Sequence, residues 1–255
     1  MRRIRVIPIL LIQNGGLVKS IKFKNHVYVG DPINAVKIFN EKEIDEIVIL
    51  DISASKDKRP PNISQISEIA SEAFIPLSYG GGITTLEEVK EILYQGAEKV
   101  ILNTSALDRL YLITQISQQF GSQSAVVSID VKKDWLGKYK VYRNNGKKKT
   151  TLSPVDFAKQ VETAGAGEII LMSIDKDGTY QGFDIDLIKQ VADAVNIPIV
   201  ACGGAADVGD FAEAINEGGA SAVAAGSMFV FQRPHRAVLI SYPSQQELKD
   251  KLFTI

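Results

Sequence analysis

Carboxylates, paired glycines and small polar residues in this 255-residue sequence fall repeatedly at the ends of short apolar runs. Asp51, Asp130 and the group Ser173, Asp175 and Asp177 close three such runs, and Gly81-Gly82, Asn103-Thr104, Gly203-Gly204 and Gly226-Ser227 close four others. A carboxylate held beside a reacting atom can take or give a proton, and Asp130 is the best candidate for that work. Glycine pairs let backbone N–H groups approach an anion closely, and a following helix start adds partial positive charge. The glycines therefore suggest two phosphate sites, one at Gly81-Gly82 with Asn103-Thr104 and one at Gly203-Gly204 with Gly226-Ser227. Glycine also occurs in tight strand-to-helix turns with no ligand, and recurrence of both members of each pair favours phosphate.

The elements that must position these residues form a repeat. Glu168-Ile-Ile-Leu-Met-Ser-Ile-Asp175 echoes Glu46-Ile-Val-Ile-Leu-Asp51, and Ile197 to Gly204 echoes Ile75 to Gly82. Gly219 to Ser227 echoes Gly96 to Thr104. Asp51 and Asp175 lie 124 residues apart, while Gly81 and Gly204, like Asn103 and Gly226, lie 123 apart. One offset for three segments implies a duplicated half of four strand-helix units, and two halves make a (β/α)8 TIM barrel, a single domain over 1-255. Chemistry in such barrels sits on the loops after the strands, where all these residues fall. Aligning the halves places Leu11 opposite Asp130.

Taken in order, strand one is expected over Ile4 to Ile12, followed by a long loop from Lys19 to Gly30. Asp31-Pro32 reads as an N-cap and first helical residue, with Ala35, Ile38 and Phe39 at helical spacing. A surface loop is expected over Ser53 to Asn62, a helix over Ser64 to Glu72, a third strand over Ile75 to Ser78 and a helix starting at Thr84 or Thr85. The next helix starts near Asp108, and strand five covers Ser124 to Asp130. Trp135 to Lys149 reads as a hairpin with Asn144-Asn-Gly146 as its turn, and Lys147 to Lys149 as a solvated face. Ser153-Pro154 starts another helix, and Gln245 to Phe253 reads as a closing helix.

Composition excludes several classes. A hydrophobic fraction of 45% and a net charge of −1 fit neither a general nucleic-acid binder nor a membrane-surface protein. One cysteine, Cys202, excludes an intrachain disulfide and a cysteine-rich metal site, and no cofactor or metal is expected. Cys202 has no histidine near it in sequence and reads as a poor nucleophile. The basic, apolar start through Arg2 and Arg3 lacks a cleavage pattern and reads as a first strand, so a cytoplasmic location is expected.

Gly30-Asp-Pro32, Leu50-Asp-Ile52, Gly80-Gly-Gly-Ile83, Asn103-Thr104, Ile113 to Ser122, Gly165 to Ile169 and Ser173 to Gly178, set in a duplicated barrel, resemble the HisF family, the cyclase subunits of imidazole glycerol phosphate synthase. The resemblance covers nearly the whole chain. It implies a lyase of histidine biosynthesis whose HisH-like glutaminase partner makes ammonia that crosses the barrel to a phosphorylated substrate. It also implies two catalytic aspartates, of which Asp130 matches one while Leu11 stands where the other belongs. Leucine transfers no proton, so the acid-base pair is broken. Lys19 matches a family lysine; His26-Val27 falls where the family carries an arginine, and Met172 where it carries a threonine.

Arg5, Glu46, Lys99 and Glu168 match the charged ring that closes the family's ammonia passage; simpler, they are paired charges plugging the barrel floor. A retained ring beside a lost aspartate resembles the WbuZ branch, as do Tyr28 to Glu43 and Gln232 to Pro243. That branch implies ammonia supplied to a sugar amidotransferase in surface-polysaccharide biosynthesis, that is, glycosyl amidation. Two alternatives stand beside it: a working cyclase in which Asp51 or Asp175 compensates for Leu11, and a noncatalytic scaffold that activates a glutaminase.

Overall fold

The structure is a computed structural model and describes residues 4–253, so Arg2 and Arg3 lie outside the described residues. Eight parallel strands close into a (β/α)8 barrel: β1 (Arg5–Gln13), β2 (Ile47–Asp51), β3 (Leu77–Gly80), β4 (Lys99–Leu102), β5 (Ala125–Lys133), β6 (Glu168–Ser173), β7 (Ile199–Cys202) and β8 (Ala222–Ala225). Ile7 aligns with Ala224 of β8 and Glu168 with Val126 of β5, which joins the sheet to itself. Around it lie α1 (Pro32–Glu41), α2 (Ile63–Glu72), α3 (Leu86–Tyr94), α4 (Leu110–Phe120), α5 (Pro154–Thr163), α6 (Ile185–Ala192) and α7 (Val208–Asn216).

Both faces of the barrel strands are buried, and alternate residues serve two cores. Outward residues such as Val6, Leu10, Ile49 and Leu171 pack with helix residues including Phe39, Phe157 and Phe211. Inward residues Ile7, Ile9, Val48, Ile101, Val126, Ile170, Val200, Ala222 and Ala224 fill the barrel. Each fully buried large side chain contributes about 1.5–3 kcal/mol. The helices start at the mouth end with local caps. Asp31 accepts from the Asn34 N–H at 2.9 Å, with Pro32 at the first position. Thr85 and Glu88 form a reciprocal capping box on α3.

Several boundaries move. The stretch expected as a long loop is an antiparallel hairpin, Gly16–Ile21 with Lys24–Gly30. It continues β1 beyond the barrel, with Leu11 opposite Val18. In the same way β5 runs on into Tyr139–Arg143, with Asp130 opposite Tyr142. The duplication thus includes a hairpin extension on the first strand of each half.

Strand three begins at Leu77, two residues later than expected, and the expected loop from Ser53 to Asn62 contains a helical turn, Ala54–Asp57. The helix expected near Asp108 is a short turn, Thr104–Asp108, followed by α4. In α1 the buried residues are Pro32, Ala35, Val36 and Phe39, while Ile38 faces out. The closing segment is an α turn, Gln245–Leu248, that widens into a π turn, Lys249–Phe253.

Candidate functional site

The strands deliver one polar mouth at their carboxyl ends, a cavity of about 1290 Å³ counted out to open solvent. Of the residues expected there, Leu11, Lys19, Asp51, Gly81, Gly82, Asn103, Thr104, Asp130, Asp177, Gly203, Gly204, Gly226 and Ser227 all line it. Ser173 and Asp175 do not. Alternation along β6 turns Glu168, Ile170 and Met172 inward, so Met172 lines the mouth and Ser173 is buried in the outer layer. The Asp175 carboxylate accepts from the Lys133 N–H at 2.9 Å on the β5 extension.

The glycine turns bring backbone close to backbone. Gly81 has φ +124°, and a Cβ there would lie 2.4 Å from the Asp51 carbonyl oxygen. Gly204, its counterpart in the second half, has φ +114°, and its Cβ would lie 2.1 Å from the Gly182 carbonyl oxygen. No side chain fits at either place, and both turns line the cavity.

Asp130 projects inward from β5, is 8% exposed, and accepts from the Ser128 hydroxyl at 3.4 Å. Burial pushes its carboxyl up to about 7, against the bonding of Ser128 and Asn103, and the Asp177 charge pushes the same way. It therefore holds and releases a proton near neutrality. At the matching place on β1 stands Leu11, packed on the apolar interior.

Asp51 is differently employed. One of its oxygens accepts from the Ser53 and Ala54 N–H groups and the Ser53 hydroxyl, and the other takes the Arg59 guanidinium at 2.6 Å. It fixes the loop after β2.

Lys19 comes in from the β1 hairpin, is 4% exposed, donates to the Ile9 carbonyl and sits against Gly226. Burial brings its ammonium down to about 8, opposed by the Asp177 charge. Asp177 binds this hairpin to the loop after β6: its carboxylate accepts from the Ser20 hydroxyl at 3.2 Å and the Phe23 N–H at 3.4 Å. Its carbonyl accepts from Lys22 at 3.0 Å. Cys202 also lines the mouth, and burial pushes its thiol up, which suits a packing residue.

Phe23 and Asn145 line the mouth as well, and sequence reasoning missed both. Asn145 sits in the expected Asn144-Asn-Gly146 turn at φ +54° and donates to the Ile52 carbonyl across the cavity. The turn signal was visible, but its direction over the mouth was not. His26 lines the cavity too. Burial lowers its imidazolium, against the Asp177 charge.

At the opposite end, Arg5, Glu46, Lys99 and Glu168 form a closed ring of alternating charge. Arg5 bonds Glu46 at 2.7 Å and also Glu168; Lys99 reaches Glu46 at 2.8 Å and Glu168 at 3.1 Å. Ser78 donates to Glu46 at 2.7 Å. Burial pushes the Glu46 carboxyl up, but Lys99, Ser78 and Arg5 together outweigh it and leave the group below the usual carboxylate range. Between ring and mouth the interior is aliphatic, with only alanines inward on β8.

Residues 5–234 match the family described as histidine biosynthesis protein. The chain is 51% identical over 248 residues to a Pseudomonas aeruginosa protein named "Putative imidazole glycerol phosphate synthase subunit hisF2", covering 97% of this chain and 99% of that one. It is 46% identical over 250 residues to a Leptospira interrogans protein named "Putative imidazole glycerol phosphate synthase subunit HisF", covering 98% of each. With the "Imidazole glycerol phosphate synthase subunit HisF" of Pyrococcus furiosus it shares 47% identity over 222 residues, 87% of this chain and 88% of that one.

Proposed function

The chain belongs to the HisF family of histidine biosynthesis proteins, and on that premise we propose that it takes ammonia from a HisH-like glutaminase and passes it through the barrel, with its own cyclase chemistry impaired. The receiving enzyme is a sugar amidotransferase, and the route serves glycosyl amidation. One observation carries this reading: an intact four-residue charged ring at the floor, and at the mouth a leucine in the place that mirrors Asp130.

The physical argument runs from the floor upward. An aliphatic interior admits neutral ammonia and opposes ammonium, because an unpaired ion in such surroundings costs several kcal/mol or about that order. The ring is held by its own ion pairs, so a side chain must turn aside for ammonia to pass. At the mouth, Asp130 supplies one proton-transfer group, and Leu11 removes its partner. Asp51 is saturated by four donors, and Asp175 lies off the cavity, bonded to the Lys133 N–H, so neither is placed to stand in for the lost aspartate. These commitments weigh against the working-cyclase alternative. The paired glycine turns remain available for a small phosphorylated ligand.

The test is reconstitution with a HisH-like glutaminase and a sugar amidotransferase. Amidation driven by glutamine is expected to need this chain, while amidation driven by an ammonium salt is not. Glu46→Ala is expected to lower the glutamine-driven yield while glutamine hydrolysis continues. Equal yield with Glu46→Ala would point to a scaffold that activates the glutaminase without conducting ammonia.

A further inference from the structure

Resting on the ammonia-delivery reading, we infer that the hairpin extension of β5 is the docking surface for the enzyme that receives the ammonia, a protein with an acidic rim around an apolar spot. Residues 132–149 hold seven lysines and Arg143 against one carboxylate, Asp134, in a chain whose net charge is −1. Arg143 is paired with Asp108 at 2.5 Å, whereas none of the seven lysines has a carboxylate ion pair among the described residues. Such a concentrated positive field attracts an acidic partner and speeds its encounter.

At the tip of the same extension, Trp135 is 86% exposed and Leu136 58%. The tip is built to hold its shape. The Asp134 carboxylate accepts from the Leu136 N–H at 2.9 Å and the Lys138 N–H at 3.0 Å, and Gly137 turns the chain at φ +76°. A pre-shaped aromatic anchor ringed by charge costs little ordering when it binds and suits the centre of an interface.

Position selects the occupant. The return turn of this extension, Asn144 to Gly146, reaches over the cavity, where Asn145 lines the wall. A partner that spans the extension from its tip at Trp135 back to Lys147–Lys149 borders the mouth through that return turn, where ammonia must be handed on before water protonates it. An anionic bilayer would also match tryptophan and lysine, but it has no group to accept ammonia.

Sedimentation velocity with a sugar amidotransferase from the same organism tests the inference, using the full chain, Trp135→Ser with Leu136→Ser, and Lys147→Glu with Lys148→Glu and Lys149→Glu. All the changed residues are exposed, and glutaminase stimulation should be unaltered by either variant. The unmodified chain is expected to bind, the apolar variant about 30-fold more weakly, and the charge variant more weakly still at low salt. No binding by the unmodified chain, or equal binding by both variants, overturns the inference. So does Trp135-dependent flotation of the unmodified chain with phosphatidylcholine–phosphatidylglycerol vesicles. Failure of the delivery reading shows separately, as cyclase turnover by the unmodified chain in an assay containing no amidotransferase.

Discussion

At the scale of single residues, Asp130 carries the clearest physical signature. Burial holds its carboxyl up at about 7, so the folded chain keeps a proton that the unfolded chain releases near the ordinary aspartate value. The linked stability is fully present below about pH 4 and is lost as pH rises through about 7. Asp130→Asn removes this dependence. In urea denaturation the variant is expected to match the unmodified chain near pH 4 and to exceed it by on the order of a few kcal/mol at pH 8. Parallel stability curves across that range would show that Asp130 is not the group responsible. Leu11 contributes nothing to proton traffic, and its apolar contacts with the barrel interior are those of a packing residue.

At the scale of elements, the turns and extensions decide what the mouth looks like. Gly204→Ala must place a methyl group against the Gly182 carbonyl, and a loss of at least about 1–3 kcal/mol is expected from the backbone conformation alone, read as a lower urea midpoint. Asp177→Ala removes the carboxylate that receives Ser20 and Phe23. Amide exchange in residues 16–30 is expected to speed up at least about tenfold while the β5–β6 amides stay protected. Unchanged exchange in the hairpin would mean that the backbone bond from Lys22 to Asp177 suffices to hold it.

These elements also show what was legible in the sequence. The barrel was, because short buried strands ending in glycine or aspartate repeat at a fixed offset. The β1 hairpin was not. Its turn uses Lys22 and Phe23 at φ +53° and +61°, left-handed positions with no glycine to announce them, and its outer strand is exposed on both faces and lacks alternation. Proximity in sequence places Ser173 and Asp175 at the mouth, whereas strand alternation and the bond to Lys133 take them elsewhere. Phe23 and Asn145 reach the cavity only through tertiary folding of the two extensions, which no local pattern encodes.

At the scale of the whole molecule, the barrel joins two ends of opposite character through an aliphatic core. The floor ring balances two basic and two acidic side chains, and deleting Glu46 leaves Arg5 and Lys99 to share Glu168 alone. Glu46→Ala is expected to destabilise the chain by no more than the ~3–5 kcal/mol typical of breaking a fully buried pair, since Arg5 is 31% exposed. Glu46→Gln, which keeps the shape and a polar contact, should lose less in the same denaturation experiment. The mouth holds both glycine turns, Lys19 and Asp130, with Leu11 in the place that mirrors Asp130. The proposed function rests on that combination of a complete ring and a leucine at the mouth.

Cyclase turnover with the family's phosphoribulosyl substrate and a saturating ammonium salt tests this combination most directly, because added ammonia removes any need for a glutaminase. The unmodified chain is expected to be slower by a factor of about 10² to 10⁴ than an intact acid-base pair would allow, with Leu11→Asp recovering part of that factor. Turnover by the unmodified chain at ordinary enzyme rates of about 1–10³ per second would contradict the account and make this a cyclase with a different proton-transfer arrangement.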